Sequence, residues 1–307
     1  MQFIKNGPDI PEELLEAQEE GRVVFFCGAG ISYPAGLPGF GGLVNKIYDT
    51  LGVSPTAVEK TALENFQYDT AIGLLERSHP GGRPAVRKAL AGALKPDFTR
   101  PKTTQTHQAL LTLSKCRSGQ TRLVTTNFDR IFEKVIVDEK LSTSTFAAPL
   151  LPVPKNRWDG LVYLHGLLPE TPADDDLNRL IISSGDFGLA YLTERWAARF
   201  VSELFRGYTV CFVGYSINDP ILRYMMDALA ADTLMGEDSP RAFAFGNYYP
   251  ESMADAVAHK WVAKNVVPIL YKGKRCHDYL HNAELRIMPH LSFGRLVSLG
   301  YCKPLAA

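Results

Sequence analysis

Four short segments of this chain combine tight turns with side chains able to do chemistry, and each follows an apolar, β-branched run. Gly28-Ala29-Gly30-Ile31-Ser32 follows Val23–Cys27. That sets two glycines and a hydroxyl at the carboxyl edge of a strand, where open α/β sheets bind ligands. Glycine lets the backbone come close to a diphosphate, and the amides of a turn entering a helix donate along a favourable dipole. A tight strand-to-helix turn would use the same glycines. Thr125-Thr126-Asn127-Phe128-Asp129 puts an amide, which donates and accepts at once, beside a carboxylate. His165-Gly166 puts an imidazole, expected to titrate near neutral pH, beside a residue that lets a substrate approach. Gly214-Tyr215-Ser216-Ile217-Asn218-Asp219-Pro220 is a second glycine turn entering a helix at its proline. Helix capping alone would account for Asn218-Asp219-Pro220.

Positioning four such turns on one edge takes a parallel sheet. Apolar runs predict strands over 22–27, 122–126, 161–164, 179–183, 209–213, 242–246 and 266–270. Helical spacing predicts helices over 11–20, 41–52, 56–65, 68–77, 83–94, 104–114, 128–139, 187–206, 220–231, 252–264 and 277–287. Strands alternating with helices imply an α/β fold, a doubly wound, mainly parallel Rossmann-like sheet. The long gap between the first two strands exceeds what one crossover helix needs. Residues 55–96 are therefore expected to form a small inserted helical module, 1–54 with 97–290 the main domain, and 291–307 a tail. The cleft between module and sheet is the expected ligand site. Segments 149–160 and 168–178 read as loops.

Composition narrows the partners. With 33 basic against 33 acidic residues the formal charge is zero, so nucleic-acid binding is not expected. The apolar runs fall far short of a membrane span, and the amino end, with Pro8 before any apolar stretch, reads as neither signal nor lipid anchor; a cytoplasmic location is expected. Five cysteines at 27, 116, 211, 276 and 302 contain no C-x-x-C pair, which argues against disulfides and a zinc ribbon. In the dinucleotide pattern G-x-G-x-x-G the third glycine would fall on Tyr33, and no strand ends in a ribose-binding acid about 20 residues later, so ordinary hydride transfer is not expected.

Taken in order, the four segments resemble the sirtuin superfamily, with its Gly-Ala-Gly-Ile-Ser loop, Thr-x-Asn-x-Asp segment, His-Gly and later Gly-x-Ser turn. The resemblance runs from about residue 20 to 280, and Gly-Tyr-Ser-Ile-Asn-Asp-Pro looks like the bacterial defence-associated branch. That likeness implies hydrolysis of NAD, as substrate, to nicotinamide and ADP-ribose by an anti-phage effector that depletes it. It further implies self-association and a phage or partner protein as trigger. Sirtuin deacylases carry four zinc-binding cysteines between the His-Gly and the Gly-x-Ser; here only Cys211 lies between Gly166 and Gly214, so no zinc is expected. Gly36-Leu37-Pro38-Gly39-Phe40 keeps the aromatic of the family's loop and loses its charges, and Leu180–Phe187 lacks the peptide-pairing Phe-Gly-Glu.

By that resemblance Asn127 binds the attacking water or ribose and His165 is the base. Asp129 holds the nicotinamide amide, with Thr126 beside it and Phe40 covering the pocket. Gly28, Ala29, Gly30 and Ser32 take the diphosphate, and Gly214, Ser216 and Asn218 the adenosine end. A regulatory module that binds NAD or ADP-ribose without turnover is the alternative, with acyl transfer a third. His277 and His281, beside Cys276, lie four apart without a third metal ligand in evidence, and Asp174-Asp175-Asp176 reads as a solvated turn. His107 reads as structural, and Tyr191, Trp196 and Phe200 as core contacts.

Overall fold

The computed structural model describes residues 1–3, 7–154, 158–216, 224–226 and 241–273. The strands are β1 Val23–Cys27, β2 Arg122–Thr125, β3 Thr145–Ala147, β4 Gly160–Tyr163, β5 Thr209–Val213, β6 Ala242–Tyr248 and β7 Val266–Lys272. They build one all-parallel sheet in the order β3-β4-β2-β1-β5-β6-β7. The helices are α1 Glu12–Glu19, α2 Phe40–Leu51, α3 Ala57–Glu64, α4 Tyr68–Ser78, α5 Gly82–Ala93, α6 Gln105–Leu113, α7 Ile131–Asp138, α8 Asp174–Asn178, α9 Ser184–Phe187, α10 Trp196–Gly207 and α11 Ala254–Val262.

The central strands are apolar on both faces because both are covered. Alternate side chains of β1 and β5 part to opposite sides: Val24, Phe26, Val210 and Phe212 pack with Phe200, Val201 and Leu204 of α10. Val23, Phe25, Cys27, Cys211 and Val213 pack with α1, α6 and α7 through Leu14, Leu110 and Phe132. This is the doubly wound, Rossmann-like α/β arrangement. A third cluster joins α2, α4 and α5 through Val44, Ile47, Ile72, Leu75, Val86 and Leu90. Phe128, Leu180 and Ile182 belong to it and bring that helical layer to the end of the sheet.

Register makes the sheet edge even. Cys27 stands opposite both Thr125 and Val213, and Thr125 opposite Tyr163. The turns after β1, β2, β4 and β5 therefore open side by side. The strand order reverses at β1, flanked by β2 and β5, which is where such sheets leave a crevice.

Several expected elements differ. Residues 179–183 form no strand: Leu180 and Ile182 are buried, but the segment crosses the end of the sheet, its Ile181 N–H bonding the His165 carbonyl at 2.9 Å. An apolar run buried from all sides looks the same in sequence whichever element it joins. The short edge strand β3 has only half-buried residues and was not expected. The long helix expected over 187–206 is broken, by a π-helical turn at Gly188–Thr193 and by Arg195 at φ 61°, before α10 begins. Asp174-Asp175-Asp176 opens the helix α8 rather than lying in a loop, and α7 starts at Ile131 instead of 128. The expected helix over 277–287, with His277 and His281, lies outside the described residues, as does that over 220–231 apart from helical 224–226. No helix among the described residues is long and apolar enough to cross a membrane.

Candidate functional site

At the reversal point the two glycine turns pack on each other. Gly28 N–H donates to the Val213 carbonyl and Gly30 N–H to that of Gly214, both at 2.9 Å. A Cβ on Gly30 would stand 2.8 Å from Gly214 Cα, and one on Gly214 would stand 2.7 Å from Ile31 N. Gly214 also has φ 74°, in the left-handed region that favours glycine. These glycines thus serve first to seat one turn against the other, with Ala29 left lining the cleft beyond.

Beside them lies a buried polar set. Ser32, in the 3-10 turn Ala29–Ala35, donates its hydroxyl to Asp129 Oδ2 at 2.8 Å and accepts from Asn127 Nδ2 at 3.1 Å. A hydroxyl has one proton, so this polarity is self-consistent and leaves the Asn127 carbonyl oxygen as the end not engaged by Ser32. Asp129 Oδ1 caps the start of α7 by accepting from Ile131 N at 3.1 Å. Burial pushes the Asp129 carboxyl up, opposed by the Ser32 hydroxyl and the Ile131 amide. His107 Nε2 stands 3.4 Å from Ser32 Oγ, its ring edge-on to Phe132. Thr126 bonds the Tyr215 hydroxyl at 2.6 Å and so links the β2 end to the β5 turn.

Ala29, Ser32, Phe40, Thr126, Asn127 and Asp129 line one cleft together with Leu94 and Ile181. Its volume is about 40 Å³, room for a few waters. Phe40, half-buried, lies edge-on to Tyr68 at 5.7 Å. Ser216 is exposed beyond Gly214, and Asn218 lies outside the described residues.

His165 is placed otherwise than its neighbours. Its ring is fully buried, with Nε2 at 2.9 Å from the Tyr191 hydroxyl, and the Phe187 ring meets it edge-on at 5.2 Å. Nδ1 has no partner. Burial lowers its pKa to about 3, so the near-neutral titration expected from sequence is corrected: the imidazole is uncharged throughout the physiological range. The ring is not among the residues lining the cleft with Asn127, although its strand is next to that of Asn127.

Sequence reasoning missed the contribution of His107, which sits on a helix with no neighbouring signal, and of Tyr191, read only as a core contact. A tyrosine hydroxyl that reaches a histidine 26 residues earlier leaves no local trace. Ile181 and Leu94 were likewise invisible as cleft walls.

The polar set can orient a hydroxyl or water and hold an amide. Among the described residues no three His, Cys, Asp or Glu side chains converge to hold a metal. Residues 121–269 match the SIR2-like domain family. The chain is 36% identical over 282 residues to "Uncharacterized protein y4cA" of Sinorhizobium fredii (strain NBRC 101917 / NGR234). That similarity covers 89% of this chain and 23% of the relative, so the chain spans about a quarter of that protein's length. A SIR2-like domain implies the binding or use of NAD. With its Asn127 and His165 turns inside the matched region, the chain carries a SIR2-like domain over residues 121–269.

Proposed function

We propose that the chain hydrolyses NAD at the bond between nicotinamide and ribose, giving nicotinamide and ADP-ribose. The observation that carries this reading is the Asn127–Ser32–Asp129 hydrogen-bonded set in the cleft where the strand order reverses. In the reaction the C1′–N bond breaks with its electron pair passing to the pyridinium nitrogen, and a water oxygen bonds to C1′. The leaving group departs neutral, so no acid is needed, and the transition state is oxocarbenium-like. What must be supplied is orientation and a dry pocket.

Each residue then has a task. The Asn127 carbonyl oxygen accepts from the attacking water or a ribose hydroxyl. Asp129, fixed by Ser32 and the Ile131 amide, accepts from the carboxamide of nicotinamide, and Phe40 covers the ring. The turn of Gly28, Ala29, Gly30 and Ser32, whose small residues let a ligand come close, takes the diphosphate, and the roles given to Gly214, Ser216 and Asn218 are at the adenosine end. The water proton leaves after the bond to C1′ has formed, when the acidity of the oxygen has risen, and the unprotonated His165 takes it once its ring turns from Phe187 and Tyr191 toward the cleft. In a longer polypeptide such a domain would act as a defence effector, assembling with its copies and depleting NAD when a phage component or partner protein triggers it.

The enclosure of His165 by Phe187 and Tyr191 favours a second reading, a module that binds NAD or ADP-ribose without turnover. Nicotinamide release from NAD by the protein, beside Asn127→Ala and His165→Ala, separates the two. Turnover by the parent alone supports hydrolysis; nucleotide binding by all three without release supports the binding module.

A further inference from the structure

Arg87 of α5 is fully buried, an expensive place for a guanidinium unless every donor is met. Its Nε donates to Glu76 Oε1 at 2.5 Å, its Nη1 to the Leu180 carbonyl at 2.7 Å, and its Nη2 to Asp186 Oδ2. The same Asp186 oxygen accepts the amides of Ile182 at 3.1 Å and Ser183 at 2.9 Å. Asp186 Oδ1 accepts from Arg83 at 2.7 Å. Burial pushes the Asp186 carboxyl up, but Arg87 and the two amides outweigh it and hold it below its ordinary value.

One side chain of the helical layer thus grips the 180–187 segment at both ends. Between the grips lies Ile181, whose N–H holds the His165 carbonyl and whose side chain walls the cleft. At the far end Phe187 lies against the His165 ring. A buried ion pair is a poor way to gain stability, since apolar side chains of similar volume do as well or better. A three-way fork is a good way to fix a loop in space. We infer that Arg87 is a positioning residue for the reaction proposed above, holding Ile181 and His165 in register with the Asn127 cleft. The inference rests on that reading for its kinetic test and on the fold alone for its spectroscopic one.

Arg87→Lys, which can satisfy one acceptor but not all three, and Asp186→Asn are compared with the parent protein. Thr56→Ala, which removes the cap of α3 and touches none of these residues, controls for lost stability. Two quantities are read: kcat and KM for NAD, and the titration midpoint of His165 by NMR, assigned with His165→Gln. In both test variants kcat is expected to fall at least tenfold with KM within twofold, and the His165 midpoint to rise by a pH unit or more as the ring gains access to water. Thr56→Ala should change neither. A parental value of either quantity in a folded test variant overturns the proposal, as does a KM rising in step with the fall in kcat. Failure of both test variants to fold overturns it too, since Arg87 would then be a folding residue. If the parent itself releases no nicotinamide, the hydrolase reading falls, and the His165 midpoint alone decides for or against Arg87.

Discussion

His165 shows how far environment overrides residue type. The imidazole has an ordinary pKa of 6.5 in the unfolded chain and about 3 in the fold, where burial disfavours its cation. The folded value is depressed, so its contribution to stability is complete above pH 6.5, declines as pH falls, and is gone near pH 3. That contribution is on the order of 5 kcal/mol. Melting temperature measured from pH 7 to 4 should fall more steeply for the parent than for His165→Gln. Asp129 carries the opposite sign: its raised pKa means the fold is favoured by the protonated carboxyl and loses that contribution as pH rises through the folded value. Ser32→Ala removes the hydroxyl that offsets this burial, and with it a charge-assisted hydrogen bond worth about 1.5–3 kcal/mol. Urea denaturation should show that loss where Asp129 is ionised, shrinking as pH falls and the carboxyl protonates. Asn127→Ala should leave ADP-ribose binding in place and cut nicotinamide release by about two orders of magnitude or more, the scale of losing one preorganised polar contact.

Among the elements, the turns after β1 and β5 are the least tolerant of change. Gly214→Ala would put a methyl 2.7 Å from Ile31 N at a positive φ, so the two glycine turns could not seat. A loss of soluble, cooperatively melting protein is expected, whereas Gly52→Ala, also at positive φ but with open space around it, should cost only about 1 kcal/mol. Strands and turns of this kind were legible in the sequence because each is local: β-branched runs for β1, β2 and β5, and glycine at the one backbone shape it uniquely permits. The 180–187 segment was not legible, because its apolar residues are buried by tertiary neighbours rather than by a sheet of their own. Asp186 and Arg87 look like surface charges until the chain brings them together across 99 residues. The break at Arg195 was hidden for a similar reason, since 187–206 keeps its helical spacing on either side.

At the scale of the whole molecule, the cleft joins a sheet edge to a helical layer, and anything bound there should couple the two. ADP-ribose at a hundred times its dissociation constant should stabilise the folded chain by about 2.7 kcal/mol, in His165→Ala as in the parent. Thermal melting with and without the nucleotide checks this, and an unchanged transition would sink the assignment of the cleft as a nucleotide site. The mutual seating of Gly30 and Gly214 carries a further consequence, for synthesis rather than for chemistry. The first turn is made early, but the carbonyl that receives its Gly30 amide belongs to a residue translated much later. A nascent or prematurely ended chain that stops short of β5 holds Ser32, Asn127, Asp129 and His165 and still lacks the partner turn against which the first is set. If the proposed hydrolysis of NAD holds, this ordering would keep the protein harmless on the ribosome until β5 and its turn have been made.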